Sequence, residues 1–172
     1  GRVRFLSDDE RDRLLVACQK SSNPYLYPVV VLALSTGMRQ GEIMGLTWDD
    51  ADFVNQRIVL HGTKNGERRA VHLAGKALEL LKGLKQGKIR RIDSNLVFPG
   101  IHALNRGPAS LRTAWLFALK KAGIQDFKFH DLRHSAASYL AMWGASLLDI
   151  AAILGHKTLS MVKRYSHLSD SH

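Results

Sequence analysis

The chain predicts a mainly α-helical domain carrying one small antiparallel β-hairpin or sheet, on three observations. Apolar residues recur at helical spacing through most of the sequence. One stretch, residues 47–73, changes instead to short strand patterns around Asn65-Gly66. Pro24, Gly37 and Gly123 fall where helical stretches begin or end. With 172 residues and 45% hydrophobic content there is material for one ordinary core. No internal repeat or low-complexity linker divides it, so residues 1–172 are expected to form a single domain.

The elements follow in order. Ser7-Asp8-Asp9-Glu10 has capping-box spacing, Leu6 precedes it, and Leu14, Leu15 and Cys18 recur with helical period, so a first helix begins near Ser7 and ends before Pro24. Asn23-Pro24 reads as a cap with proline at the first helical position, opening a buried helix whose residues 28–34 are apolar on nearly every side. That helix stops at Thr36-Gly37, and a short one begins around Arg39. Residues 57–61 and 68–73 read as strands flanking Lys64-Asn65-Gly66-Glu67, because the Asn-Gly pair accepts the positive φ angles of a tight hairpin. Lys64 then stands at the hairpin tip. Residues 74–85 form an amphipathic helix, and the basic stretch 85–91 reads as a solvated loop. Further helices are expected over residues 108–123, 131–143, 147–154 and from 159 to about 165.

Composition narrows the function. Lys and Arg outnumber Asp and Glu by 25 to 15, a net charge of +10, which favours a polyanionic partner. Cys18 is the one cysteine and sits in an apolar helical pattern, which leaves neither a disulfide framework nor a cysteine zinc site. His134, His167 and His172 are too scattered for a metal site. The longest apolar run, residues 29–34, is far short of a membrane span, and no charged, apolar leader opens the chain. A cytosolic location with no membrane contact is expected.

Six residues carry the chemistry: Arg39, Lys64, His130, Arg133, His156 and Tyr165. Cleaving a phosphodiester requires stabilising its nonbridging oxygens, activating a nucleophile and protonating a leaving alkoxide. Arg39 and Arg133 offer planar forks that hold two phosphate oxygens at once, a geometry lysine does not match. His130 and His156 exchange protons near neutrality. Lys64, on a hairpin tip, could protonate the leaving 5′ oxygen. Tyr165 is a phenol with an ordinary pKa of about 10, so its attack needs a cationic site or a base beside it. Singly, each has a plainer reading as a surface, capping or core residue. Their joint order, each at an element boundary, is what raises the chemical one. Glu42, one turn after Arg39, fits an orienting partner, and Asp131 fits a helix cap.

Leu34-Ser35-Thr36-Gly37-Met38-Arg39-Gln40-Gly41-Glu42-Ile43, then Phe129-His130-Asp131-Leu132-Arg133-His134-Ser135-Ala136-Ala137, Leu154-Gly155-His156-Lys157 and Tyr165-Ser166-His167 resemble the catalytic domain of the tyrosine recombinases, the phage integrase family. The resemblance runs through essentially the whole chain. It implies that Tyr165 attacks DNA to form a 3′-phosphotyrosyl link, that Arg39, Arg133 and His156 stabilise the scissile phosphate, that Lys64 is the general acid and that His130 assists proton transfer or phosphate binding. It implies no cofactor, neither metal nor ATP, because the phosphotyrosyl link conserves the bond energy for rejoining. Double-stranded DNA is the implied partner, with self-association to a tetramer on DNA and a location with the nucleoid. The family's small helical domain that clamps the opposite face of DNA would precede Gly1, and only Ser166 to His172 follow the tyrosine, where relatives often extend further. Type IB topoisomerase-like relaxation and a catalytically silent DNA-binding module are the alternatives.

Overall fold

Ser7 opens the first helix as its spacing predicts. The computed structural model describes residues 4–61, 68–100, 107–142 and 144–154. In it the Glu10 N–H donates to Ser7 Oγ at 3.1 Å, and the Ser7 N–H donates back to Glu10 Oε1 at 3.0 Å. The reciprocal pair satisfies two donors that a helix start otherwise leaves bare, and α1 runs Asp8–Gln19 with Leu14 and Cys18 buried. Glu10 also pairs with Arg4 at 2.8 Å. That bond, with the Ser7 N–H, outweighs partial burial and holds the Glu10 carboxyl down at about 2.

The buried helix is α2, Leu26–Thr36, with Leu26, Val29, Val30, Val31, Leu32 and Ala33 all inside. It starts later than Asn23-Pro24 suggests. Asn23 Oδ1 accepts the Tyr25 N–H at 3.0 Å and the Asn23 carbonyl accepts the Leu26 N–H at 3.3 Å, so the dipeptide makes a turn ahead of the helix rather than its first turn. At the other end Gly37 adopts φ 70°, the left-handed conformation that lets its N–H close on the Ala33 carbonyl at 2.9 Å. The chain then extends through Arg39 into α3, Gln40–Met44.

A turn at Trp48–Asp50 leads into a three-stranded antiparallel sheet: β1 Ala51–Asp52, β2 Arg57–Leu60 and β3 Arg69–His72, in the order β1-β2-β3. The expected strand pair is present, and β1 is an additional edge strand. Its two residues are too few to show alternation in sequence. In the β2–β3 ladder Ile58 faces Val71 and Leu60 faces Arg69, which puts these four on the core side. Lys64 and the expected hairpin tip lie outside the described residues.

α4 spans Gly75–Gln86 with Ala77, Leu81 and Leu84 buried. The basic stretch expected as a solvated loop is exposed from residue 85 to residue 90 and leaves the helix after Gln86, as expected, while several of its cations rest on rings or a carboxylate. Lys85 belongs to α4 and its ammonium stands 5.1 Å from the Phe53 ring centre, Arg90 lies 5.2 Å from that of Trp48, and Arg91 pairs with Asp93 at 2.6 Å. Ring faces attract cations and partly replace their water. α5 spans Arg112–Ala122, beginning after the predicted start because Pro108 is used in a bridge to Pro99. Gly123, at φ 68°, ends it as expected. α6 (Asp131–Met142) and α7 (Leu147–Leu154) complete the described helices; the helix expected from residue 159 lies outside them.

The main core gathers α2 with α1, α4, α3 and the sheet, and α5 closes on α1. α6 packs on α2 and carries a smaller apolar cluster of Ala137, Ala141 and Ile150. Leu6, ahead of α1, ties that segment to α6, its N–H donating to Ser135 Oγ at 3.0 Å. Among the described residues no helix is long and apolar enough to cross a membrane.

Candidate active site

The site is built where the end of α2 meets the start of α6. Thr36 is buried, and its hydroxyl donates to the Leu32 carbonyl at 2.6 Å while accepting the Met38 N–H at 3.1 Å. These bonds fix the turn through Gly37, and the next residue but one is Arg39. Across the gap, Arg133 on α6 is only 3% exposed and its Nη1 donates to the Gly37 carbonyl. A buried guanidinium is tolerated where its donors are engaged. One peptide carbonyl therefore sets Arg133 beside the turn that presents Arg39, although the two arginines are far apart in sequence.

His130 stands immediately before α6, and its carbonyl accepts the Arg133 N–H at 3.1 Å. The residue as a whole is exposed, while its ring packs edge to face on the buried His134 at 5.2 Å between centres. Lost hydration, then the positive charges of Arg133 and Arg39, outweigh Asp131 and hold the His130 pKa below its usual value. A neutral imidazole at neutral pH can take up a proton as well as donate one. Asp131 caps the approach to α6 by accepting the Lys128 N–H at 2.8 Å.

Arg39 is fixed from its other side by Glu42. Its N–H donates to Glu42 Oε1 at 2.8 Å, and its Nη1 lies 3.9 Å from Oε2. Glu42 also receives Arg69 of β3, Nη1 at 2.8 Å and Nη2 at 3.5 Å. Burial pushes the Glu42 carboxyl up, but the Arg69 bond, the Arg39 N–H and both positive charges outweigh it and hold the group below its ordinary range. The orienting part expected of Glu42 is thus visible in its bonds.

Of the six sequence candidates, Arg39, His130 and Arg133 come together. Lys64, His156 and Tyr165 lie outside the described residues. Sequence reasoning passed over Arg69, whose signal was available: it shares strand parity with Val71 and Leu73, so a period-two reading places an arginine on the inward face. It also passed over Thr36 and Ser135, small hydroxyls that tie helix ends and that no charge or periodicity marks out.

This arrangement can cradle an anion. Two guanidinium groups held from opposite sides, with an imidazole between solvent and core, suit the nonbridging oxygens of a phosphodiester and the proton traffic around it.

Comparison with known proteins gives the same direction. The model of the phage integrase family matches residues 4–172. A shufflon-specific DNA recombinase of Escherichia coli is 35% identical over 169 residues, covering 98% of this chain and 41% of that protein. The integrase of Salmonella phage P22 is 32% identical over 179 residues, covering 99% of this chain and 45% of its own length. Among solved structures, the catalytic domain of bacteriophage HP1 integrase superposes with a TM-score of 0.78 at 29% identity, over 99% of this chain and 91% of that one. The chain spans less than half the length of these two relatives. By its sequence along nearly all its length and by its fold, the chain belongs to the phage integrase family, as a tyrosine recombinase catalytic domain.

Proposed function

We propose that this chain is the catalytic domain of a site-specific DNA recombinase or integrase that cuts and rejoins double-stranded DNA through Tyr165. The Tyr165 oxygen forms a bond to phosphorus as the bond to the 5′ oxygen breaks; the phenolic proton passes to a base, and Lys64 gives a proton to the departing 5′ oxygen. A 3′-phosphotyrosyl link and a free 5′ hydroxyl result, and attack by a 5′ hydroxyl on that link reverses the step. Arg39, Arg133 and His156 stabilise the charge on the phosphate, and His130 assists proton transfer. The forks supply the positive charge locally and the link conserves the bond energy, so the reaction proceeds without metal or ATP. The full-length protein acts as a tetramer on DNA, at the nucleoid.

The observation that carries this reading is the Arg133 bond to the Gly37 carbonyl, two residues before Arg39, with His130 under the charge of both arginines. The test is a nicked suicide substrate bearing candidate recombination sites, incubated with the full-length protein in EDTA and resolved on a denaturing gel. A covalent adduct is expected with the wild type and none with Tyr165→Phe. Absence of adduct on every DNA tried would move the chain to a silent binding module, and relaxation of supercoiled DNA lacking any specific site would move it to the topoisomerase reaction.

A further inference from the structure

Arg69 opens β3 opposite Leu60, the last pair of the β2–β3 ladder before the segment that carries Lys64. Strand alternation turns it inward with the buried Val71, whereas Ala70 and His72 are exposed. An inward cation on a strand is costly unless an anion meets it. That anion is Glu42, and the pair is well withdrawn from water, with side chains 12% and 15% exposed. Both guanidinium ends reach the carboxylate, at 2.8 Å and 3.5 Å, while Arg69 Nε is buried without an acceptor among the described residues. The same carboxylate holds the Arg39 N–H at 2.8 Å. A single carboxylate therefore joins β3 to the residue that caps α3.

The consequence is geometric. An acid carried in the chain between two strands serves a leaving oxygen only if those strands stand in a fixed place relative to the groups that hold the phosphate. A misplacement of about 1 Å costs on the order of a hundredfold in rate. Ile58, Leu60 and Val71 pack the sheet into the core that α3 shares, and the Arg69–Glu42 bonds add a directional polar tie from β3 to the start of α3.

We propose that Arg69 is a positioning residue for the cleavage reaction: through Glu42 it registers β3, the strand that follows Lys64 in the chain, against Arg39. The proposal rests on the reading of Lys64 as the general acid, and the experiment separates the two. Cleavage is measured in single turnover with the full-length protein on two suicide substrates, one natural and one with sulfur replacing the bridging 5′ oxygen. A thiolate leaves without a proton, so defects in acid delivery shrink on the sulfur substrate while defects in phosphate binding persist. Lys64→Ala sets the scale. Arg69→Met is expected to lose about 10 to 100 fold on the oxygen substrate and to come within about threefold of wild type on sulfur, with DNA affinity unchanged. Arg69→Lys keeps the charge without the two-pronged geometry and is expected to show the same oxygen-selective loss in smaller measure; it makes the comparison if Arg69→Met does not fold. An oxygen-selective loss in Lys64→Ala with equal losses on both substrates in the Arg69 variants overturns the proposal and leaves the acid assignment standing. No oxygen-selective loss in Lys64→Ala removes the acid assignment, and the proposal with it.

Discussion

His130 shows how far a single residue's environment decides its chemistry. Its ring loses hydration against His134 and faces two arginines, and both influences favour the uncharged form over the pull of Asp131. The sign follows. A histidine whose folded pKa lies below its unfolded one is held neutral by the fold, so the associated stability is full above the unfolded value and declines as pH falls toward the folded value. In the free protein the His130 ring protons are expected to titrate below the ordinary histidine range. In Arg39→Gln the midpoint is expected to rise, because a nearby positive charge has gone. Histidine NMR across pH checks both; a midpoint unmoved by Arg39→Gln would mean that the arginine charge does not reach the ring. At this scale the sequence was informative where chemistry and pattern coincide. Arg39, His130 and Arg133 stand at element boundaries in a recognisable order. Arg69 does not stand out, because its importance depends on Glu42 from a different element lying against its face of the sheet.

Among the elements, the turn that ends α2 bears most directly on the site. Gly37 has φ 70°, its N–H closes the helix on Ala33, and its carbonyl receives Arg133. A side chain in that conformation costs roughly 1 kcal/mol. Gly37→Ala is therefore expected to lower the unfolding free energy by that amount, about 2–4 °C in Tm for a chain of this size, read by urea and thermal unfolding. Gly37→Asn is expected to lose less, since asparagine tolerates the left-handed region. An alanine variant as stable as wild type would show that the turn relaxes to a different conformation. Helix ends with a chemical signature were legible in the same way: Ser7 with Glu10 for α1, Gly37 for α2 and Gly123 for α5. The errors share a cause. β1 is two residues long, Asn23-Pro24 makes a turn where a cap was expected, and Pro108 joins Pro99 in a bridge instead of starting α5. In each, a contact with a distant or neighbouring backbone overrode a local preference that periodicity alone could read.

For the whole molecule, apolar pattern and charge do separate work. The first assembles α1 to α5 and the sheet around α2 and brings α6 onto it, which is how residues as distant in sequence as Gly37 and Arg133 come to share a hydrogen bond. The second leaves a net charge of +10 on the folded surface, and a polyanion would draw on it at long range. Neutralising a phosphate releases condensed counterions, so log affinity falls with log salt by about 0.9 per contact. In the proposed reaction Arg39, Arg133 and Lys64 share the one scissile phosphate, so that site sets a slope of about −0.9, and further basic residues on other phosphates steepen it. Binding of the full-length protein to a duplex, followed by fluorescence anisotropy across a salt series, is expected to give at least that slope. Arg39→Gln is expected to weaken binding and to flatten the slope by no more than one contact, about 0.9, because Arg133 stays on the same phosphate. The nonspecific part of the affinity should fall in the same proportion on unrelated duplexes, since phosphate contacts carry no sequence information. A slope near zero would sink the DNA reading, whereas a steep slope with an affinity left unchanged by Arg39→Gln would keep the DNA and remove Arg39 from the phosphate.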